Sequence, residues 1–232
     1  MARDYTGQLI VHNDPKAVDS EAFRILRTNL QFASLNEDLK VISFTSTGPG
    51  EGKSVVCANL AVSYAQAGAR VILIDCDLRK PAMHSFFGLR NNVGLTSVLT
   101  GQKDIESALQ DTQCENLRLL ASGPIPPNPA EMLHSSVMQK TLAEIKGHAD
   151  KILIDAPPVL PVADAMILAN YVDGVILVVG VKQAPKEMVL RAKEQLTSTN
   201  ARILGVVLNK VKFDRGSEYY YYNYYSANDN HG

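Results

Sequence analysis

Between Val41 and Gly68 a strand, a glycine-rich loop and a helix follow one another without a break, and this succession constrains the chain more than any other stretch. Val41-Ile42-Ser43-Phe44-Thr45 carries the β-branched and aromatic residues of a short buried strand. Gly48, Gly50 and Gly52 then fall within Ser46-Thr47-Gly48-Pro49-Gly50-Glu51-Gly52-Lys53-Ser54. A helical run from Val55 to Ala67 ends at Gly68, a glycine stop. Such a loop, with a helix N-terminus behind it, can wrap its backbone N–H groups around an anionic phosphate. Gly48, Pro49, Gly50, Glu51, Gly52, Lys53, Ser54 and Val55 are therefore the expected nucleotide contacts. Lys53 adds a point charge at the β- and γ-phosphates, and the Ser54 hydroxyl can hold Mg²⁺. The pattern departs from its usual form in one place: Thr47 stands where a glycine normally opens it. A merely flexible turn is the plain alternative, and the placement of Gly-Lys-Ser between strand and helix argues against it.

A chain of 232 residues with 46% hydrophobic content is long enough for one large α/β domain with a real core. Its net charge of -1 provides no basic field to attract nucleic acid or an anionic membrane. Cys57, Cys76 and Cys114 have neither CxxC nor metal-ligand spacing, which suits small buried residues in a reducing cytoplasm. The polar N-terminus is unlike a signal peptide, and the Val175–Val179 run is too short to span a bilayer.

Residues 1 to about 18 suggest an extended arm. Ser20 is the expected N-cap of a helix from Glu21 to about Ala33, with Phe23, Leu26 and Leu30 on the inward stripe. Glu21, Arg24 and Arg27 flank that stripe, and their spacing alone describes a solvated face with one Glu–Arg pair. Val71-Ile72-Leu73-Ile74-Asp75 and Lys151-Ile152-Leu153-Ile154-Asp155 are apolar runs ending in acids. They read as central parallel strands with their carboxylates at the C-terminal edge, where open α/β sheets bind ligands. Strand alternation would turn Asp75 and Asp77 the same way, toward the phosphates. Short helical and strand patterns occupy Gly94–Gly101 and Asn116–Leu120, and a helix is expected from about Ala130 to Lys146. A strand over Gly174–Val179, a helix over Lys186–Leu196 and a strand over Ile203–Leu208 complete the alternation. The fold class that follows is α/β, a mostly parallel sheet with helices on both faces.

Asn209-Lys210-Val211-Lys212 resembles the start of a guanine-reading motif, but Lys212 replaces the carboxylate that would accept from the base. ATP is thus the expected nucleotide. Asn209 either touches the base or caps the strand end. Six of the nine tyrosines, Tyr219, Tyr220, Tyr221, Tyr222, Tyr224 and Tyr225, crowd the tail. A sticky tail or a β edge is the plain reading. Neighbouring tyrosines on a strand would point to opposite faces, which argues against a core role, and phenols beside a phosphate-handling domain point to substrates.

Together these segments resemble the bacterial tyrosine kinases (BY-kinases), of the type whose cytoplasmic kinase is separate from its membrane activator. The motifs are Pro49-Gly50-Glu51-Gly52-Lys53-Ser54, Asp75-x-Asp77-x-Arg79, the Asp155 strand, Glu21-x-x-Arg24-x-x-Arg27 and the tyrosine tail, and they cover nearly the whole chain. The resemblance implies a P-loop NTPase fold of the MinD/ParA-like kind, with an arm and oligomerisation helix over 1–40, an ATP-binding kinase domain over 41–212 and a flexible tail over 213–232. It implies Walker A′ roles for Asp75 and Asp77, a Walker B role for Asp155, and a homo-oligomeric ring joined through Glu21, Arg24 and Arg27. It also implies a polysaccharide co-polymerase-type membrane activator that recruits the kinase to the inner face of the plasma membrane, an opposing phosphotyrosine phosphatase, and regulation of capsule or exopolysaccharide export.

The chemistry expected is transfer of the γ-phosphoryl group of ATP to tyrosine. Lys53 is the catalytic cation, Ser54, Asp77 and Asp155 surround Mg²⁺, and Asp75 is the candidate proton acceptor. Lys53 is expected to carry no packing duty. A switch ATPase of the partitioning or division-site class is the rival, but Gly48 stands where that class often carries lysine. A non-enzymatic nucleotide sensor is the third reading, and phosphotyrosine formation separates all three.

Overall fold

The computed structural model of the chain describes residues 5–33, 39–199 and 201–211. The tail tyrosines Tyr219, Tyr220, Tyr221, Tyr222, Tyr224 and Tyr225, and Lys212, lie outside the described residues. A 3₁₀ turn (Thr6–Gln8) leads into the short α1 (Ile10–Asn13) and the longer α2 (Val18–Ala33), and then β1 (Val41–Ser46) enters the loop that opens α3 (Lys53–Gln66). β2 (Val71–Asp75) is followed by α4 (Met83–Phe86), α5 (Leu95–Leu99), α6 (Ile105–Ala108), β3 (Gln110–Asp111) and β4 (Leu117–Leu120). α7 (Pro129–His134) and α8 (Ser136–Ile145) precede β5 (Lys151–Asp155), and α9 (Asp164–Ala169), β6 (Gly174–Gly180), α10 (Lys186–Thr197) and β7 (Ile203–Asn209) complete the alternation.

The seven strands run in the order β3-β4-β2-β5-β1-β6-β7, and every pairing is parallel except that of β3 with β4. β1 and β5 lie centrally, with Phe44 opposite Asp155, and β2 pairs Asp75 with Asp155. That register brings the phosphate loop and both acid-ended strands to one edge of the sheet. Side chains alternate across it. Ile72, Ile74, Ile152, Ile154, Val175 and Leu177 join one core with α5–α10, whereas Leu73, Leu153, Phe44, Ile176 and Val178 join another beneath α3. Parallel strands covered on both faces need apolar residues at consecutive positions, and these have them. β7 is the exception: among the described residues it pairs with a strand on one side only, and Val206 and Leu208 are exposed.

Three expectations about local structure are corrected. The arm is not extended: Leu9 and Val11 are fully buried in the α3 core. The α3 side chain Asn59 accepts from the Val11 N–H (3.0 Å) and donates to the Gln8 carbonyl (2.8 Å). Ser20 does not cap α2, which begins at Val18. Ser20 lies inside the first turn, and its hydroxyl donates back to the carbonyls of Asp14 (2.7 Å) and Ile10 (3.2 Å). Finally, the helix expected over 130–146 is two. Ser135 adopts extended backbone between α7 and α8, and its hydroxyl accepts from the Met138 N–H (3.2 Å), which satisfies a donor that a helix start otherwise leaves free. Among the described residues no helix is long and apolar enough to cross a membrane.

Candidate active site

The loop between β1 and α3 is shaped by its glycines and held by its one carboxylate. Gly50 and Gly52 sit at φ +81° and +95°, a region L-residues enter only at a cost. Glu51 is buried, and its carboxylate turns back into the loop to accept from the Gly48 N–H (2.6 Å) and the Thr47 hydroxyl. Its other oxygen accepts from the Gly180 N–H at the end of β6 (2.9 Å). Thr47, the departure from the usual loop pattern, thus supplies a hydroxyl that a glycine could not.

Lys53 opens α3, and its ammonium lies 3.0 Å from Asp77 and 3.2 Å from Asp155, as well as 3.2 Å from the Ser54 hydroxyl. Ser54 in turn donates to Asp155 (2.6 Å). Burial disfavours charge on Lys53, but Asp155 and then Asp77 outweigh it, and its pKa lies above the ordinary lysine value. The expectation that Lys53 has no structural duty is corrected, because it neutralises two acids that the fold buries.

Asp75 is fully buried at the end of β2, and burial, reinforced by Asp155, pushes its pKa up to about 7. One oxygen accepts from the Asp77 N–H (3.1 Å), the other from the N–H groups of Ala82 and Met83 (3.0 Å each). β2 stops at Asp75, so strand alternation does not place Asp77. Asp77 is set by its own loop, where it accepts from the Lys80 N–H (3.0 Å) and faces Lys53. Asp155 is likewise fully buried, and burial raises its pKa. Cys57 and Cys76 lie close by, and burial and the neighbouring carboxylates hold both thiols protonated.

The donor set fits a nucleotide with Mg²⁺. Asp77, Asp155 and the Ser54 hydroxyl offer hard oxygen atoms, and the one ammonium among three acids leaves the pocket acidic. Among the described residues no group of three His, Cys, Asp or Glu side chains converges into a cage. Mg²⁺ suits that arrangement, since it binds through one or two carboxylates together with substrate phosphates rather than in an all-protein cage.

Two contacts at this edge, made by residues the sequence did single out, had no sequence signal. Arg79 makes a bidentate pair with Asp164 at the start of α9 (2.8 and 3.0 Å), and Asp164 is fully buried although 85 positions separate the two. Asn209 neither caps β7 nor points to open space: its side-chain amide donates to the Glu51 carbonyl (2.9 Å). Away from the edge, Glu21 and Arg24 pair on the outer face of α2 (2.8 Å), while Arg27 donates into α3 at the Ser63 carbonyl and hydroxyl.

A family model described as an AAA domain matches residues 39–199. The chain is 46% identical over 214 residues to the tyrosine-protein kinase YwqD of Bacillus subtilis (strain 168), covering 92% of this chain and 90% of that one. It is 41% identical over 214 residues to the putative tyrosine-protein kinase CapB of Staphylococcus aureus, with 92% and 94% covered. Among solved structures, the chimerical protein CapA2B2 matches with a TM-score of 0.87 at 39% identity, over 91% of this chain and 93% of that one. The septum site-determining protein MinD of Pyrococcus horikoshii OT3, complexed with Mg-ADP, matches with a TM-score of 0.65 at 28% identity, over 76% and 72%.

Proposed function

Since this chain belongs to the bacterial tyrosine-protein kinases, within the P-loop class of α/β folds, we propose that it moves the γ-phosphoryl group of ATP onto tyrosines, its own tail included. The observation that carries the reading is Lys53 held between Asp77 and Asp155 beside Ser54, in a chain that also contains six clustered tyrosines. Phosphoryl transfer asks a protein mainly for positioning and for charge that meets the developing negative oxygens. The loop amides and Lys53 supply that charge. When bound, Mg²⁺ would be held by Ser54, with Asp77 and Asp155 in its surroundings, and would neutralise the phosphates.

Asp75 takes the tyrosine proton in this reading. A carboxylate offers about four lone-pair sites, and Asp75 gives three to backbone amides, which leaves one at the same edge as Lys53. Its burial means that the phenol has to enter the site to reach it.

Glu21, Arg24 and Arg27 join subunits into a ring, and each tail enters a neighbour's site. Phosphorylation adds about -1.5 to -2 charges per tyrosine, which an acid-lined site repels, so the modified tails leave and the ring loosens. A membrane-embedded activator brings the kinase to the inner face of the membrane in capsule or exopolysaccharide synthesis, and a phosphatase resets it. The names of the relatives support the kinase activity, and the chain's own charge pattern supports the tail mechanism.

Incubation with labelled ATP and Mg²⁺, with and without a candidate activator, followed by phosphotyrosine detection, tests the reading. A mixture of Lys53→Met protein with tail-deleted protein should give phosphate on the inactive partner's tail. Label that appears only when site and tail share a chain would sink the trans mechanism.

A further inference from the structure

We propose that Lys210 is a positioning residue for phosphate binding, which acts through the loop rather than on the nucleotide. The inference rests on the kinase reading and adds to it Lys210, which lies in the Asn209-Lys210-Val211-Lys212 stretch but has no role in the reading of that motif. Lys210 follows β7 directly and sits at φ +60°, a left-handed backbone that a residue with a side chain adopts at a cost of about 1 kcal/mol or more. From there its ammonium donates to the Gly50 carbonyl (2.6 Å) and to Gln183 Oε1 (3.1 Å). Its neighbour Asn209 donates to the next carbonyl, that of Glu51 (2.9 Å).

Two successive loop carbonyls are therefore held from one side by the end of β7. The peptides are trans, so the N–H of Glu51 points opposite to the Gly50 carbonyl, and the N–H of Gly52 opposite to the Glu51 carbonyl. Neither N–H donates to a group among the described residues. Holding the carbonyls outward thus presents both amides to an incoming phosphate. The peptide between Gly50 and Glu51 has a glycine on one side, and glycine turns readily through both signs of φ. Without an outer anchor that peptide can rotate and offer its carbonyl to the phosphate instead.

The anchor is itself braced. Gly180 donates to the Glu51 carboxylate, and a Cβ at Gly180 would meet Gln183 Oε1 at 2.5 Å, so this glycine makes room for the side chain that receives Lys210. A Cβ at Gly52 would meet the Asn209 amide nitrogen at 2.0 Å, so the loop glycine and the strand end are fitted to one another. Lys210 is exposed, and its replacement leaves the core untouched.

The test compares two probes, ATP and inorganic tripolyphosphate, each measured by calorimetry or by displacement of a fluorescent nucleotide from the full chain. Loss of a charge-assisted hydrogen bond to the loop should weaken both by the same factor, about tenfold for Lys210→Met. Gln183→Ala should show a smaller loss of the same kind, and Lys210→Arg should recover part of it. In turnover, KM for ATP should rise with kcat at saturating ATP little changed, and the melting temperature of the free protein should hold. Unchanged affinity for both probes overturns the proposal. So does a loss confined to ATP, which would make Lys210 a contact of base or ribose. Wild-type protein that neither binds ATP nor modifies tyrosine would instead overturn the kinase reading on which the inference stands.

Discussion

The carboxyl edge of the sheet and the outer face of α2 both carry acids and bases in motif-like spacing, and the fold treats them in opposite ways. At the edge, Asp75, Asp155 and Asp164 are fully buried, and the cations that face Asp155 and Asp164 come from distant elements: Lys53 lies 102 positions from Asp155 and Arg79 lies 85 from Asp164. On α2, Glu21 and Arg24 are neighbours on one helix with side chains 36% and 33% exposed. Burying a carboxylate costs several kcal/mol unless its partners are in place, so folding itself enforces the edge geometry. A half-exposed helical pair contributes about 0.2–0.5 kcal/mol, and its geometry is weakly enforced. Charges that the interior retains are committed to one arrangement, whereas Glu21 and Arg24 on α2 are held only by a partly exposed pair.

The sharpest way to break that contrast is Lys53→Met. If Lys53 serves the transferring phosphate as proposed, its loss should lower turnover by about 10²-fold or more. Because the substitution also leaves Asp77 and Asp155 without their cation, the free protein should lose about 3 kcal/mol of stability. Steady-state phosphorylation and chemical denaturation measure the two. Full stability in the variant would show that the buried acids are satisfied in some other way.

Next in size is Asp164→Asn. The asparagine keeps the shape but removes the charge that holds the Arg79 guanidinium, and a loss of about 2 kcal/mol is expected, read from the denaturation midpoint. A change near zero would place this pair with the α2 charges rather than with the edge.

What the sequence made legible divides along the same line. The phosphate loop, the two strands that end in acids and the parallel sheet follow from residues that lie next to one another or repeat at a fixed period. The bidentate Arg79–Asp164 pair does not, since nothing near Asp164 differs from an ordinary helix start. Glu51 was legible as a loop residue, but its bond to Gly180 depends on β6 lying beside β1. The buried N-terminal turn reads as an arm because Leu9-Ile10-Val11 is one short apolar run in a polar stretch, and the site of Leu9 and Val11 exists only once α3 offers Asn59. Ser20 shows the reverse error: a residue favoured at helix starts serves here as a tie inside the first turn.

Replacing Glu21, Arg24 and Arg27 together by Ala should change stability by less than about 1 kcal/mol, because surface pairs contribute little. Its effect should appear in assembly instead, as a fall in molar mass by light scattering when the wild type forms a ring. Arg27, which reaches into α3 at Ser63, should account for most of whatever stability is lost. An unchanged oligomer would return this face to a solvated surface.

The smallest effect is expected where charge is most exposed, at Arg70 and Asp150. The Arg70 guanidinium donates to both Asp150 oxygens (2.6 and 3.2 Å), and the Arg70 N–H adds a third bond (2.9 Å). These bonds, the side-chain ones first, lower the Asp150 pKa from 3.8 to about 2. A carboxyl whose pKa is lower folded than unfolded adds stability that is fully present above the unfolded value and disappears as pH falls through the folded one. The contribution should therefore be intact at neutral pH and fade between about pH 4 and pH 2. Arg70→Met removes the guanidinium but leaves the backbone N–H, so it should remove part of this dependence and not all of it. Melting temperatures of wild type and variant, measured from pH 7 down to pH 2, should differ slightly at the start and converge at the acid end. A difference that stays constant across the range would mean that Arg70 acts by packing its aliphatic stem, and that even this exposed pair is not chiefly a matter of charge.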